Sequence, residues 1–142
     1  MMEVKWLRAG DDKSGCYELR RRVFVDEQGF ADEFDNMDET CEHLLVTEYG
    51  KAIATARLYS KDGVYHVGRV CVDVPYRGTG IGRMVMSEAE KMVRAHGAEA
   101  LELGAQMQVR EFYSRLGYRA EGELFYEQGC PHIMMKKFLY AH

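Results

Sequence analysis

Arg77-Gly78-Thr79-Gly80-Ile81-Gly82 stands between an apolar run, Val67 to Val74, and an amphipathic one, Ile81 to His96. A strand ends there and a helix begins. Glycines at such a junction let backbone N–H groups approach an anion closely, and the helix N-terminus adds a favourable dipole. Arg77 adds a fixed positive charge. The ligand that fits is a pyrophosphate, and spacing excludes two common loops for it. The dinucleotide fingerprint has its third glycine one place later, in the first βαβ unit. The phosphate loop of nucleotide hydrolases needs Lys-Ser or Lys-Thr after its last glycine, where this chain has Arg83-Met84. The plain alternative is a Gly-rich turn before a helix, with no ligand.

Outward from the loop, periodicity predicts the other elements. Upstream are a strand over Val4 to Leu7, a helix over Lys13 to Val25, and a loop with one helical turn over Asp26 to Glu42. Strands over Leu44 to Glu48 and Ala52 to Tyr59 form a hairpin across Tyr49-Gly50-Lys51. Asp62-Gly63 is a turn before a long strand, Val64 to Val74. Downstream, Gly97 stops the helix that begins at Ile81. A strand over Ala100 to Leu103, a helical stripe of Val109, Phe112, Tyr113 and Leu116, and strands over Leu124 to Tyr126 and Ile133 to Leu139 complete the chain. The expected class is α/β, a mixed sheet of six to seven strands flanked by helices. The central strand–loop–helix–strand unit is expected to cross over between parallel strands.

At 142 residues, the chain is expected to form a single domain, 1–142, around one core. A net charge of −4 argues against nucleic acid or an anionic membrane as partner. Met1 to Gly10 holds no apolar run, so no secretory leader is expected, and no run approaches the roughly 20 residues of a spanning helix. Cys16, Cys41, Cys71 and Cys130 show no metal-ligand spacing. They are expected to be reduced thiols in a cytoplasmic protein without a metal. Cys71, inside an apolar strand, is expected to be inert.

The loop resembles the Arg/Gln-x-x-Gly-x-Gly/Ala segment of the GNAT N-acetyltransferases, with Arg77, Gly80 and Gly82 at its fixed positions. The element order is also that of the GNAT acyl-CoA N-acyltransferase fold. Arg21-Arg22-Val23-Phe24-Val25-Asp26-Glu27-Gln28, Glu42-His43, Arg69-Val70-Cys71-Val72, Ala105-Gln106, Phe112-Tyr113, Gly117-Tyr118 and Pro131-His132 resemble the small bacterial ElaA and YjcF type. The tail from Gly122 to Met134 also resembles glyphosate N-acetyltransferase. Gly68 and Gly104 depart from the type, which usually has Glu and Asn there. Each loses a polar group near the cleft, which bears on acceptor choice.

The resemblance implies acetyl-CoA (coenzyme A) as co-substrate and a small-molecule amine as acceptor. It places the pyrophosphate on Arg77, Gly78, Thr79, Gly80, Ile81, Gly82 and Arg83. It implies backbone hydrogen bonds from Val70 and Val72 to pantetheine, on a strand that splays from its neighbour. Gln106 would hold a water or the cofactor's amide, or else cap its turn. A homodimer through the last strands is common among such proteins.

Acetyl transfer to an amine needs a base for the amine, donors for the oxyanion and an acid for the departing thiolate. Tyr113 is the candidate acid: a phenol titrates near 10 and an alkyl thiol near 8.5. Its alternative is packing in a helix stripe. His132, after Pro131 at the start of a strand, is the candidate base, which the glyphosate acetyltransferase resemblance supports. His43, beside Glu42, is its rival, and ordered water a third route. His66, His96 and His142 are expected to be incidental. Asp26 to Glu42 carries eight acidic residues and no Lys or Arg, so it is either an acidic lid attracting a cationic amine or a solvated loop. Two other functions stay open: a non-catalytic acyl-CoA sensor, and an acyl-homoserine-lactone-synthase-like acyltransferase.

Overall fold

Strand-forming runs of alternating polarity and one long amphipathic helix set the architecture of the computed structural model, which describes residues 1–31 and 33–139. Asp32, in the acidic run, and His142 lie outside the described residues. The strands are β1 (Met2–Leu7), β2 (Glu42–Glu48), β3 (Lys51–Lys61), β4 (Val64–Val72), β5 (Ala100–Gln106), β6 (Arg119–Glu127) and β7 (Cys130–Phe138). The helices are α1 (Ser14–Arg20), α2 (Ile81–Ala95) and α3 (Arg110–Arg115). One sheet runs β1-β2-β3-β4-β5-β7-β6. All neighbours are antiparallel except β4 and β5, the strands joined through α2.

Strand alternation gives the sheet two faces. Leu44, Val46, Ala54, Ala56, Leu58, Leu101 and Leu103 share one core with Ile81, Val85, Ala89 and Val93 of α2 and with Tyr113 of α3. Fully burying an aliphatic side chain of this size stabilises by roughly 1.5–3 kcal/mol, so this stripe is what docks α2. Glu90, buried on the same helix, accepts from Tyr118 Oη at 2.9 Å and Lys137 Nζ at 3.1 Å. Leu19 of α1 packs on the other face with Val23, Phe24 and Cys71.

Several elements differ from expectation. The first helix continues past Val25, changing to a π-helical run over Arg21–Glu27. The hairpin loop is Tyr49-Gly50, both at positive φ (51° and 79°), as in the two-residue turns that match strand twist. β5 extends to Gln106. The predicted Leu124 to Tyr126 strand is the middle of β6, whose pairing with β7 shifts register between Glu121 and Phe125, with Gly122 at φ 78°. β6 is an almost wholly exposed outer strand, so it lacks the apolar alternation that marks a half-buried one.

Candidate active site

β4 and β5 pair only at Tyr65–Leu101 and His66–Glu102. Beyond those two steps the strands part, and each keeps its antiparallel neighbour on the other side. The cause lies in β4. Arg69 has φ 52°, and the β3–β4 register slips between Thr55 and Arg57. An extra residue in one strand bends it away from the ladder. The result is a wedge open at the carboxyl ends of two parallel strands, with Val70 and Val72 along one edge and Gln106 on the other.

The Gly loop closes the end of β4. Asp73 and Pro75 stop the strand in a 3-10 turn over Val74–Tyr76, and the Thr79 hydroxyl bonds the Tyr76 carbonyl. Gly78 and Gly80 sit at φ 76° and 91°, a region costly for any side chain with a Cβ. A Cβ on Gly82 would stand 3.2 Å from Phe112 Cζ, so that glycine lets α3 press against the start of α2. The N-terminus of α2 has no side-chain cap and no acidic residue in its first turn. Met84 N–H is the first to bond back, to the Gly80 carbonyl at 3.1 Å. The Ile81, Gly82 and Arg83 N–H groups thus lack intrahelical acceptors. With the exposed Arg83 in this turn, the site suits an anion.

Arg77 is placed differently from the sequence expectation. Its Nη1 and Nη2 donate to Glu27 Oε2 and Oε1, both at 2.8 Å, and its Nε donates to the Val72 carbonyl at 2.9 Å. Its charge is therefore paired, and one lone pair of the Val72 carbonyl is used.

Tyr113 and His132 lie on opposite sides of the sheet. Tyr113 is 7% exposed in the α2-side core, its ring edge-on to Phe112 and Tyr118. Its hydroxyl makes no hydrogen bond among the described residues. Burial, aided by the Cys71 thiol, holds this phenol protonated well above its usual range. His132, next to core residue Ile133 on β7, points to the other face; in the sheet it stands opposite Gln106 on β5 and Phe125 on β6. Its Nδ1 lies 2.8 Å from the Cys130 carbonyl. A carbonyl only accepts, so Nδ1 carries a proton, and in the neutral ring the lone pair is on Nε2. The Phe125 ring stacks on the imidazole at 5.6 Å.

Gly68 and Gly104 flank the wedge on the His132 side. A Cβ on Gly104 would meet the Phe125 ring at 3.4 Å, and one on Gly68 would lie 3.9 Å from Arg57 Nε. Gly104 thus admits Phe125, which makes an apolar wall there.

His43 is fully buried. Its Nε2 lies 2.9 Å from the Asp38 carbonyl, and burial lowers its pKa. A neutral imidazole without solvent access does not fit a base for an incoming amine. The acidic segment around it is largely paired. Arg20 bonds Glu33 at 2.8 Å and Asp38 at 2.7 Å; Arg57 bonds Asp35 at 2.7 Å and Asp38 at 3.0 Å; Arg69 reaches Glu33 at 3.2 Å. Glu42 pairs with His96 at 2.8 Å. Glu27, Glu33, Asp35 and Asp38, each held by an arginine, therefore do not present free charge to a cation. Asp38, Cys41 and His43 bring ligand atoms within 4.8 Å of one another, but a metal there would meet the Arg20 and Arg57 guanidiniums. His66 is not isolated either: it stacks on Tyr59 and lies 3.7 Å from Glu102 at the apex of the wedge. Burial pushes the Cys71 thiol far above its ordinary range, so it is no nucleophile.

A wedge between parallel strands, ending on an uncapped helix with a glycine loop, is a cleft with an anion-accepting end, and its relatives say which class of protein carries it. The chain belongs to the GNAT acetyltransferases: the family described as acetyltransferase (GNAT) domain matches over residues 14–139. It is 35% identical over 125 residues to the N-acetyltransferase YjcF of Bacillus subtilis, covering 86% of this chain and 89% of the relative. The crystal structure of Escherichia coli ElaA superposes with a TM-score of 0.87 at 29% identity, over 96% of this chain and 99% of that one. An acyl-CoA N-acyltransferase from Pseudomonas aeruginosa superposes with a TM-score of 0.88 at 26% identity, over the same shares, 96% and 99%. The protein is an acyltransferase, and its fold works with acetyl- or acyl-coenzyme A. Among the described residues no helix is long and apolar enough to cross a membrane.

Proposed function

We propose that the protein transfers an acetyl group from acetyl-coenzyme A to the amine of a small acceptor by direct attack on the thioester. The observation that carries this reading is the parting of β4 and β5 directly above the glycine loop, with a phenol on one face and an imidazole lone pair on the other. Pyrophosphate would take the Gly78 to Arg83 backbone, and pantetheine the free edges of Val70 and Val72. The thioester would then lie in the wedge.

In this reading the amine lone pair attacks the thioester carbonyl carbon, and His132 Nε2 takes the amine proton. Backbone donors near the Arg69–Val70 bulge hold the oxyanion. The carbon–sulfur bond breaks, and the electron pair leaves on sulfur. A phenol this strongly protonated donates a hydrogen bond to the thiolate rather than surrendering its proton outright. Tyr113 thereby stabilises the leaving group, and the thiol regains its proton from solvent or the imidazolium.

The paired state of the acidic segment gives little support to a cationic acceptor, and Phe125 over Gly104 favours one with an apolar part. Four free cysteines accord with a reducing, cytoplasmic compartment. A homodimer would use the outer edge of β6, where Leu124 and Tyr126 are exposed. Thiol release from acetyl-coenzyme A is to be followed against a panel of amines, with the products weighed by mass spectrometry. The expected result is amine-dependent release of thiol matched by N-acetylated amine. Coenzyme A binding without release on any amine would support the sensor instead.

A further inference from the structure

Glu27 ends the π-helical run after α1, and Gln28 follows it. These two neighbours reach different strands. The Glu27 carboxylate takes both terminal nitrogens of Arg77, just past the end of β4. Gln28 Oε1 accepts from Gln106 Nε2, at the end of β5, at 2.9 Å. Gln106 Oε1 accepts in turn from Gln108 Nε2 at 2.7 Å. The amide chain has a direction, and Gln28 serves in it only as an acceptor. Two adjacent residues thus span the open end of the wedge, where no β4–β5 pairing holds the strands. Glu27 and Arg77 are each 40% exposed, and such pairs add little to stability. Bidentate geometry instead fixes position and angle.

We propose that Glu27 and Gln28 are positioning residues that clamp the cofactor cleft at its mouth. Glu27 fixes Arg77 and with it the pyrophosphate loop. Gln28 fixes the Gln106 carboxamide for the pantetheine arm. The clamp rests on the cofactor reading above, that coenzyme A lies between these strands.

The test uses two probes on the full chain. Coenzyme A is titrated by calorimetry, and pantetheine, which lacks the pyrophosphate, by NMR chemical shift. Glu27→Ala is expected to weaken coenzyme A about tenfold, a typical coupling for groups in contact, and to leave pantetheine unchanged. Arg77→Ala should act alike, and the double variant should be no weaker than the poorer single one. Gln28→Met, which keeps the bulk and loses the acceptor, should weaken both probes; Gln28→Glu, which keeps an acceptor, should retain them. Tighter coenzyme A binding in Glu27→Ala would mean that the carboxylate competes with phosphate, and would overturn the clamp. So would additive effects of Glu27 and Arg77, or wild-type affinity in Gln28→Met. Failure of the wild-type protein to bind coenzyme A would instead sink the cofactor reading itself. Melting curves on each variant separate loss of binding from loss of fold.

Discussion

The Gly78 to Gly82 loop and the Glu33 to Glu42 segment are both polar, charge-bearing stretches beside the cleft, and they are built in opposite ways. The loop leaves its groups unsatisfied: α2 starts without a side-chain cap, and its first N–H groups lack intrahelical partners. The acidic segment pairs most of its carboxylates, with Arg20, Arg57 and Arg69 and in an Asp35–Asp38 capping box, although Glu42 Oε2, His43 Nδ1 and Arg57 Nε are buried without a hydrogen-bond partner among the described residues. Free backbone N–H groups at an exposed helix start are what an anion can use, which is why the loop is the site proposed for pyrophosphate. Charge alone is not enough, because a buried network cancels itself.

That contrast predicts a crossed pattern of mutational effects. The largest falls on stability: Asp38→Ala should lower unfolding free energy by about 3 kcal/mol, since it takes one charge-assisted partner from each of two buried guanidiniums, which keep Glu33 and Asp35. Chemical denaturation measures it, and the folded variant should bind coenzyme A normally. Gly80→Val should do the reverse. A Val at φ 91° strains the backbone by about 1–3 kcal/mol, but coenzyme A affinity should fall at least about a hundredfold, as two charge-assisted bonds are lost at about 1.5 kcal/mol each. Wild-type calorimetric affinity in the folded Gly80→Val protein would erase the contrast.

Tyr113→Phe keeps the ring in its core and removes only the donor. Turnover should drop about 10²-fold, the lower end for loss of one preorganised hydrogen-bond donor to a developing negative charge, with coenzyme A affinity unchanged. An unaltered turnover number with chemistry rate-limiting would make Tyr113 a packing residue. On the opposite face, His132→Ala should lower turnover by roughly 10²-fold with coenzyme A affinity unchanged. His43→Ala should keep turnover and lose only stability. The reverse outcome would move the base into the buried segment.

The smallest effect concerns acid. Burial would push the Asp38 carboxyl up, but Arg20, the Asp35 N–H and Arg57 pull it from 3.8 to about 2. A depressed folded pKa means stability that is present above the unfolded value and lost as pH falls through the folded one. Asp38 should therefore contribute fully above about pH 5 and lose its contribution between about pH 4 and 2. Asp38→Asn should flatten that part of the stability profile, which urea titrations over this range would show.

The same contrast explains what sequence could reveal. The loop was legible because its demands are local: glycines at positive φ and a helix start follow from adjacent residues. The arginine partners were not, since Arg57 lies 22 residues from Asp35 and Arg77 lies 50 from Glu27. The kink at Arg69 had no cue either, because arginine does not favour positive φ. β6 was half missed since its side chains face water on the outer edge. Glu27-Gln28 stood inside a quoted family-like stretch, but only the fold shows that two neighbours hold two strands.

The central claim is that coenzyme A lies along the parted strands and on the start of α2. Its most direct test is an NMR titration of nitrogen-15-labelled protein with coenzyme A. The account predicts amide shifts concentrated at Val70 to Val72 and Arg77 to Arg83, with little change along Glu33 to His43. Saturable binding with Gly78 to Arg83 unmoved, and shifts gathered on the acidic segment, would contradict it.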